Sequence, residues 1–182
     1  ISASLVGSEM CIRDRVGANV VDARSYTSKD GFATAAFWIQ DKDGAPYDQS
    51  RFLRLRSMIE KTLSGEIITR DAIKARDKFK KRERAFKVPT SITFDNDGSE
   101  IYTIIEVDTR DRPGLLFDLT RTLANMNVYI ASAVIATYGE QVVDSFYVKD
   151  MFGLKFYSES KQKKLEQNLR QAITLGVERA QS

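Results

Sequence analysis

Histidine is absent from this chain of 182 residues, and cysteine occurs once, at position 11. Without histidine the chain has no Ser-His-Asp or Cys-His nucleophile, no histidine metal site and no histidine base. A single cysteine excludes both a disulfide framework and a multi-cysteine zinc site. An enzyme that works through carboxylates or lysine stays open, but this composition favours binding or regulation.

Glycine and proline are scarce as well, with ten and three residues, which excludes a collagen-like or disordered chain. No run of apolar residues approaches the ~18 that a transmembrane helix needs. The chain has 42% hydrophobic and 29% charged residues and a net charge of +3. These values are typical of a soluble globular protein of one or two small domains that does not enter a membrane.

The first fifteen residues, ISASLVGSEMCIRDR, differ in character from the rest. They have neither the basic start nor the continuous apolar core of a secretory signal, so we expect a cytoplasmic protein. Residues 6–15 resemble the in-frame translation of a transposon sequencing adapter. We interpret residues 1–15 as an assembly artefact joined to a gene that has lost its N-terminal part. The alternative is a genuine N-terminal arm.

The rest of the chain contains an internal repeat with an offset near 109 residues. Matched segments share residue types in the same order, and they are 18–20 with 126–128, 37–39 with 146–148, and 41–44 with 150–153. Two copies indicate tandem domains rather than a solenoid.

The second copy follows a β-α-β-β-α order. Residues 101–107 alternate as a strand does, and the next helix has apolar residues three and four apart between Leu116 and Met126. Two strands, 128–137 and 142–149, surround a hairpin, and a last helix carries apolar residues from Leu165 to Val177. This order predicts most of a ferredoxin-like βαββαβ unit, an α+β fold with an antiparallel sheet and helices on one face.

A closing strand is missing after Val177, and we predict that residues 91–94 replace it. The turn signal at 95–98 would fold this segment back onto residues 101–107 as an antiparallel neighbour. The first copy has a hairpin (20–27 and 33–40) and a helix (52–63) but no opening strand and helix. A hairpin with one helix is marginal alone, so we expect it to pack on the second copy.

Between the copies, residues 70–87 carry nine basic and three acidic side chains. Such a segment is either a solvated linker helix or a contact for nucleic acid or an acidic partner. Because no aromatic stacking platform accompanies the charges, we interpret it as a linker and expect no nucleic acid to bind. The predicted divisions are an artefact (1–15), a truncated first unit (16–65), a basic linker helix (66–90) and a second unit (91–182).

The junction at residues 108–116 is the most informative candidate site. Gly114 permits a ligand to approach the backbone closely, and a helix start favours a carboxylate or phosphate. Asp111 suits a ligand's ammonium group, so together these features suit a small amino acid. Pro113 in the first turn equally suits a helix start with no ligand, and Asn127 suits a C-terminal cap.

Other candidate groups fit structural roles better. The pairs Asp41 with Asp43 and Asp95 with Asp97 lie beside glycine in turns that lack the length of a calcium loop. The aromatic pairs at 37–38 and 146–147 suit a core and a sheet surface better than a binding box. We therefore predict no metal site and no cofactor in this chain.

Residues 111–116 (DRPGLL), followed by 127–128 and by the strand 142–150, resemble an ACT domain. The tandem pair, with its connecting helix and residues 86–89 (FKVP), more narrowly resembles the C-terminal region of the bifunctional uridylyltransferase/uridylyl-removing enzymes, which modify the nitrogen-signalling protein PII. Residues 18–24 and 37–41 resemble the first ACT unit of that family, and 104–116 resemble the second. The resemblance covers residues 17 to about 178.

The resemblance implies a regulatory fragment that senses glutamine in nitrogen metabolism, with PII as partner of the whole enzyme and self-association through ACT units. It also implies nucleotidyltransferase and hydrolase domains, with Mg²⁺ in the former, and neither domain matches this chain. We therefore predict no catalytic centre in the chain itself. The alternative is an ACT regulatory or dimerisation module of another amino-acid-responsive protein.

The resemblance further implies a glutamine site at the junction. Asp111 would pair with the α-ammonium, and the N–H groups of Gly114 and Leu115 would meet the α-carboxylate. Asn127 and Val128 would line the opposite wall, while the facing unit would close the pocket. The implied ligand residues are Asp111, Arg112, Pro113, Gly114, Leu115, Asn127, Val128, Asn19 and Val20.

Overall fold

The computed structural model of the chain describes residues 18–27, 30, 32–41, 43–64, 89–112, 114–138 and 141–181. Three predictions concern residues outside these ranges. They are the N-terminal artefact at 1–15, the basic helix at 70–87 and the place of Pro113 in the first helical turn.

Six strands and three α-helices make up the described part of the chain. The strands are β1 (Asn19–Thr27), β2 (Ala33–Gln40), β3 (Ser91–Asp95), β4 (Thr103–Arg110), β5 (Tyr129–Tyr138) and β6 (Gln141–Lys149). The helices are α1 (Phe52–Leu63), α2 (Leu115–Asn125) and α3 (Glu159–Gln181), with a short 3-10 turn before α1 at Gln49–Arg51. The strands form one antiparallel sheet in the order β2-β1-β5-β6-β4-β3.

The second copy has the predicted ferredoxin-like arrangement, so the α+β fold class is confirmed. Alternate residues of β4 and β6 are buried, as expected when helices cover one face of a sheet. The core between sheet and helices contains fully buried side chains from four elements, namely Ile105, Leu119, Phe146, Leu165 and Leu169. Within the described ranges, no helix is long and apolar enough to cross a membrane.

Strand β3 closes the sheet, as predicted. It pairs antiparallel with β4 in a register that runs from Ser91 opposite Asp108 to Asp95 opposite Ile104. The Asp95 carboxylate organises the connecting turn, because it accepts hydrogen bonds from the N–H groups of Asp97 (2.7 Å) and Gly98 (3.0 Å). The fourth strand of the unit therefore comes from before the first strand instead of after the last helix.

The first copy joins the second through a strand pair. β1 runs antiparallel beside β5, with Asp22 opposite Ala136 and Tyr26 opposite Ser132. Three buried side chains of the first copy, Ala18, Tyr47 and Leu55, belong to the same apolar core as the second copy. This confirms that the first copy packs on the second, through the β1–β5 pair and a shared apolar core.

The loop that follows the hairpin has the same geometry in both copies, which supports the repeat. In the first copy the Asp41 carboxylate accepts the N–H groups of Asp43 (2.9 Å) and Ala45 (2.8 Å). In the second, Asp150 accepts those of Phe152 and Leu154, each at 2.9 Å. The equivalent glycines, Gly44 and Gly153, both have positive φ angles, 85° and 77°. Asp41 thus serves a turn, as the sequence predicted, and Asp150 has the same role in the second copy.

Candidate functional site

The junction between β4 and α2 is a tight turn built on glycine. Strand β4 ends at Arg110, and Gly114 precedes the first residue of α2 with a φ of 81°. This left-handed conformation costs little only for glycine, so the sequence requires Gly114 here for a structural reason. No side chain caps the helix start at Gly114, and its carbonyl accepts the N–H of Asp118 at 3.0 Å.

Two of the predicted ligand contacts in this turn serve the fold instead. The N–H of Leu115 donates to the carbonyl of Arg112 at 3.3 Å, and the Leu115 side chain is buried. The Arg112 side chain is 3% exposed and lies inside the domain, where Nη2 is 2.7 Å from the Asp118 carboxylate. The structure thus gives the Leu115 amide and the Arg112 side chain partners within the fold, on the inner side of the turn.

Asp111 lies half-buried at the end of β4, where the predicted ammonium contact requires it. Asp108, three residues earlier in β4, accepts a hydrogen bond from Gln141 Nε2 at 2.7 Å, and both residues belong to the sheet face away from the helices. The junction itself thus combines the Asp111 carboxylate with the positive end of a helix dipole. These groups provide complementary charges for an α-ammonium and an α-carboxylate.

Asn127 and Val128 lie at the other end of α2, so the structure does not bring them beside the junction. The helix has 11 residues, which separates its ends by about 16 Å. Asn127 has a φ of 57° and its N–H bonds to Ala124, while the N–H of Val128 bonds to Leu123. This pair of bonds is a Schellman cap, the structural role that the sequence left open for Asn127. Val128 is buried in the core.

Asn19 and Val20, in contrast, lie at the same end of the sheet as the junction. Asp22 is opposite Ala136, so the start of β1 extends toward the β5–β6 hairpin, next to which Gln141 is opposite Arg110. The register therefore puts residues 19–20 at the same end of the sheet as Asp111 and Gly114, with β5 and β6 between β1 and β4.

A separate cavity of about 230 Å³ lies at the Asn127 end of the unit. Its lining combines apolar side chains with one carboxylate and two lysines, and includes Met126, Asp150, Phe152, Lys161 and Lys164.

The aromatic pairs singled out in the sequence lie in the core and on the sheet. Phe146 is fully buried and Phe37 packs against the core, while Trp38 is about half exposed beneath the Arg24 guanidinium. Among the described residues, no three His, Cys, Asp or Glu side chains are grouped as metal ligands would be.

Sequence reasoning missed three residues that hold the junction in place. Asp118 accepts both Arg112 and Arg179, each at 2.7 Å, and Gly176 lies against the Arg112 guanidinium. Asp118 occupies the first turn of α2, where a carboxylate is already favoured by the helix dipole, so its type alone gave no signal. Arg179 and Gly176 are about 60 residues away, and only the packing of α3 on α2 brings them here.

Comparisons with known proteins agree with the resemblance stated from the sequence. Residues 91–178 match a family described as an ACR9-like, ACT-like domain. The chain is similar to bifunctional uridylyltransferase/uridylyl-removing enzymes from Ruegeria pomeroyi (74% identity over 165 residues), Cereibacter sphaeroides (72% over 165) and Azospirillum brasilense (44% over 160). These alignments cover 91%, 91% and 86% of this chain but only 18%, 18% and 17% of the relatives. No solved structure matches the chain significantly.

Proposed function

We propose that this chain, which carries an ACT-like domain and is similar to a short stretch of the bifunctional uridylyltransferase/uridylyl-removing enzymes, is a regulatory region that senses glutamine. The observation that carries the proposal is the β4–α2 junction. There a glycine without a side-chain cap opens a helix at the same sheet end as the start of β1. A half-buried carboxylate, Asp111, lies beside it.

Glutamine fits this junction through its α-groups. Its α-ammonium pairs with Asp111, a charge-assisted contact. Its α-carboxylate lies against the N–H of Gly114 and the first turn of α2, where orphan N–H groups and the helix dipole favour a negative charge. Leu115 and Arg112 support the turn from inside and do not contact the ligand. The start of β1, residues 19–20, closes the site from the first copy.

The repeat gives Asn127 and Val128 a different place in this scheme. They correspond to Asn19 and Val20, and the antiparallel β1–β5 pair places the two equivalents at opposite ends of the sheet. Residues 19–20 therefore serve the junction of the second copy.

The wider proposal concerns the parent enzyme. Glutamine binding at this region would regulate uridylyl transfer to PII and its reversal, both carried out by domains outside this chain. Those domains would use Mg²⁺ and would work in the cytoplasm. The chain itself would bind glutamine without catalysing either reaction.

Titration calorimetry of the chain with glutamine tests the proposal. We expect binding, and we expect Asp111→Ala to weaken it by about 1–3 kcal/mol because the ammonium loses its charged partner in a partly closed site. Asp97→Ala is the matched control, since it removes an exposed carboxylate from the turn at the other end of β4. Titration with glutamate as a second ligand tests whether the site distinguishes the side-chain amide of glutamine from a carboxylate.

The results separate the possibilities. If Asp111→Ala and Asp97→Ala weaken glutamine binding equally, the binding site does not lie at the junction. Lack of binding at millimolar glutamine, by a chain shown to be folded, would contradict glutamine sensing by this pair of units. A structural pairing module would then be the better description.

A further inference from the structure

The Arg112 guanidinium connects the junction to the last helix. Arg112 lies in the turn between β4 and α2, and its side chain points into the domain with 3% of its surface exposed. Nη2 is 2.7 Å from the Asp118 carboxylate and 3.4 Å from the carbonyl of Ala172 on α3. A buried, charged hydrogen bond of this kind is strong and directional. The turn is therefore fastened to both helices by one side chain.

Gly176 on α3 makes room for that side chain. A β-carbon added at Gly176 would lie 1.8 Å from Arg112 Nη2 and 2.1 Å from Cζ, far closer than atoms approach without bonding. The guanidinium is held by Asp118, so it moves aside only if that ion pair is broken. Glycine destabilises a helix interior by about 1 kcal/mol relative to alanine. The space that it leaves for the Arg112 guanidinium is the physical reason for glycine at this position.

Arg179 completes the contact from the next turn of α3. Its Nη2 lies 2.7 Å from the same Asp118 carboxylate oxygen that Arg112 contacts, and its side chain is about half exposed. One carboxylate in the first turn of α2 thus holds two guanidinium groups. One group comes from the junction and the other from α3.

We propose that Asp118, Gly176 and Arg179 are positioning residues for the junction, acting through Arg112. They form a clamp that couples the conformation of residues 111, 112 and 114 to the position of the C-terminal turns of α3. None of them contacts the ligand in the proposed site, so they hold the backbone of Gly114 and Asp111 where glutamine would meet it. The link to glutamine rests on the proposed function, whereas the clamp itself does not.

Hydrogen exchange of backbone amides, measured without ligand, tests the clamp directly. Arg179→Ala, which removes a half-exposed side chain, should speed exchange at the backbone amides of residues 111, 112 and 114–116 by about tenfold, the effect of one charged hydrogen bond. Arg170→Ala is the matched control, because Arg170 is an α3 arginine that pairs with Glu166 and the Thr90 carbonyl instead. The core amides of β5 and β6 report any general loss of stability.

Gly176→Ala distinguishes the clamp from a purely local role of position 176 in the helix, because the two explanations predict opposite changes in amide exchange. Alanine favours a helix, so a purely local role for position 176 predicts slower exchange along α3. The clamp predicts faster exchange at residues 111, 112 and 114–116, because Arg112 is displaced. Gln171→Ala, at an exposed position of the same helix, is the control. Unchanged exchange at residues 111, 112 and 114–116 in both Arg179→Ala and Gly176→Ala would overturn the proposal.

A double variant tests whether the two arginines act through one carboxylate. Asp118→Asn removes the shared charge, so adding Arg179→Ala should change loop exchange little further. Additive effects would contradict a shared clamp.

Glutamine titration of the same variants then separates this inference from the proposed function. Weaker glutamine binding in Arg179→Ala, with core exchange unchanged, supports both. Altered loop exchange in a chain that binds no glutamine supports the clamp and contradicts glutamine sensing. Unaltered exchange in a chain that does bind glutamine contradicts the clamp alone.

Discussion

At the scale of single residues, the backbone conformation of Gly114 decides what the junction tolerates. Gly114→Val would place a side chain where a ligand is proposed to approach, but it would also damage the turn. With a φ of 81° at this position, a β-branched residue is strained in the left-handed region. A loss of ligand binding in that variant would therefore not distinguish a blocked site from a damaged turn.

We expect Gly114→Ala to lower the free energy of unfolding by about 1–2 kcal/mol or more, because alanine is strained in the left-handed backbone conformation that this buried turn requires. Chemical denaturation measures the change. Gly153→Ala is a matched control, because Gly153 has a similar φ of 77° with nothing within 4 Å of an added β-carbon. A smaller cost at Gly114 than at Gly153 would contradict the tight packing of the junction.

Asp95 makes acid stability depend on the β3–β4 turn. Hydrogen bonds from the N–H groups of Gly98 and Asp97 lower the pKa of Asp95 from its usual 3.8. A carboxyl with a lowered folded-state pKa stabilises the fold above its unfolded-state pKa, and this contribution is lost as the pH falls through the folded-state pKa. The stabilisation by Asp95 is thus complete above about pH 5 and fades below it.

We expect the difference in unfolding free energy between the unmodified chain and Asp95→Asn to be constant above pH 5 and to shrink toward pH 2. Urea denaturation across this pH range measures it. Asp97→Asn is the control, because it removes a carboxylate from the same turn but leaves both bonds to Asp95 in place. A difference that does not change with pH would show that the Asp95 charge has no part in the turn.

At the scale of elements, α3 has two separate tasks along its length. Its buried positions, such as Leu165 and Leu169, fill the core beneath the sheet. Its C-terminal turns carry Gly176 and Arg179, which reach the junction. The sequence predicted the first task from the spacing of apolar residues. It gave no indication of the second, because a glycine within a helical pattern indicates only a less stable helix.

We expect Leu169→Ala to destabilise the chain by about 2–5 kcal/mol, because it removes a fully buried side chain and leaves a cavity. Thermal or urea unfolding measures the change. Leu175→Ala on the same helix is the control, since Leu175 is about half exposed and should cost much less. Similar effects of the two substitutions would contradict the packed face of α3.

At the scale of the whole molecule, one sheet carries both copies. The complete unit supplies four of the six strands, and the first copy extends its β5 edge with β1 and β2. Within the part of the chain that the structure describes, β2 pairs with β1 and makes a single bridge between Gln40 and Pro46 on its own loop. Helix α1 also presents Phe52 and Leu53 to solvent.

A strand edge that no other described strand covers, beside exposed apolar side chains, favours association with a second chain. We therefore expect dimers or larger species in sedimentation velocity, with a proportion that rises with concentration. Ala36→Lys, at an exposed position of β2, should shift the distribution toward monomer, because a charge on an edge strand opposes pairing. A clean monomer across a hundredfold range of concentration would contradict this expectation.

The sequence by itself determined the repeat, the order of elements, the fold class and the closing strand β3. These features depend on local periodicity and turn residues, which operate over a few neighbouring positions. The resemblance carried by residues 111–116 indicated the family, and the comparisons agree with it.

The tertiary structure decided which side chains face one another across long sequence separations. It turned Arg112 inward onto Asp118, placed Gly176 and Arg179 against the same group, and set Asn127 at the opposite end of α2 from Gly114. It also determined, through the β1–β5 register, that residues 19–20 share an end of the sheet with the junction. Periodicity cannot give these relations, because the packing of α3 on α2 and the pairing of β1 with β5 are set by the burial of both copies in one core.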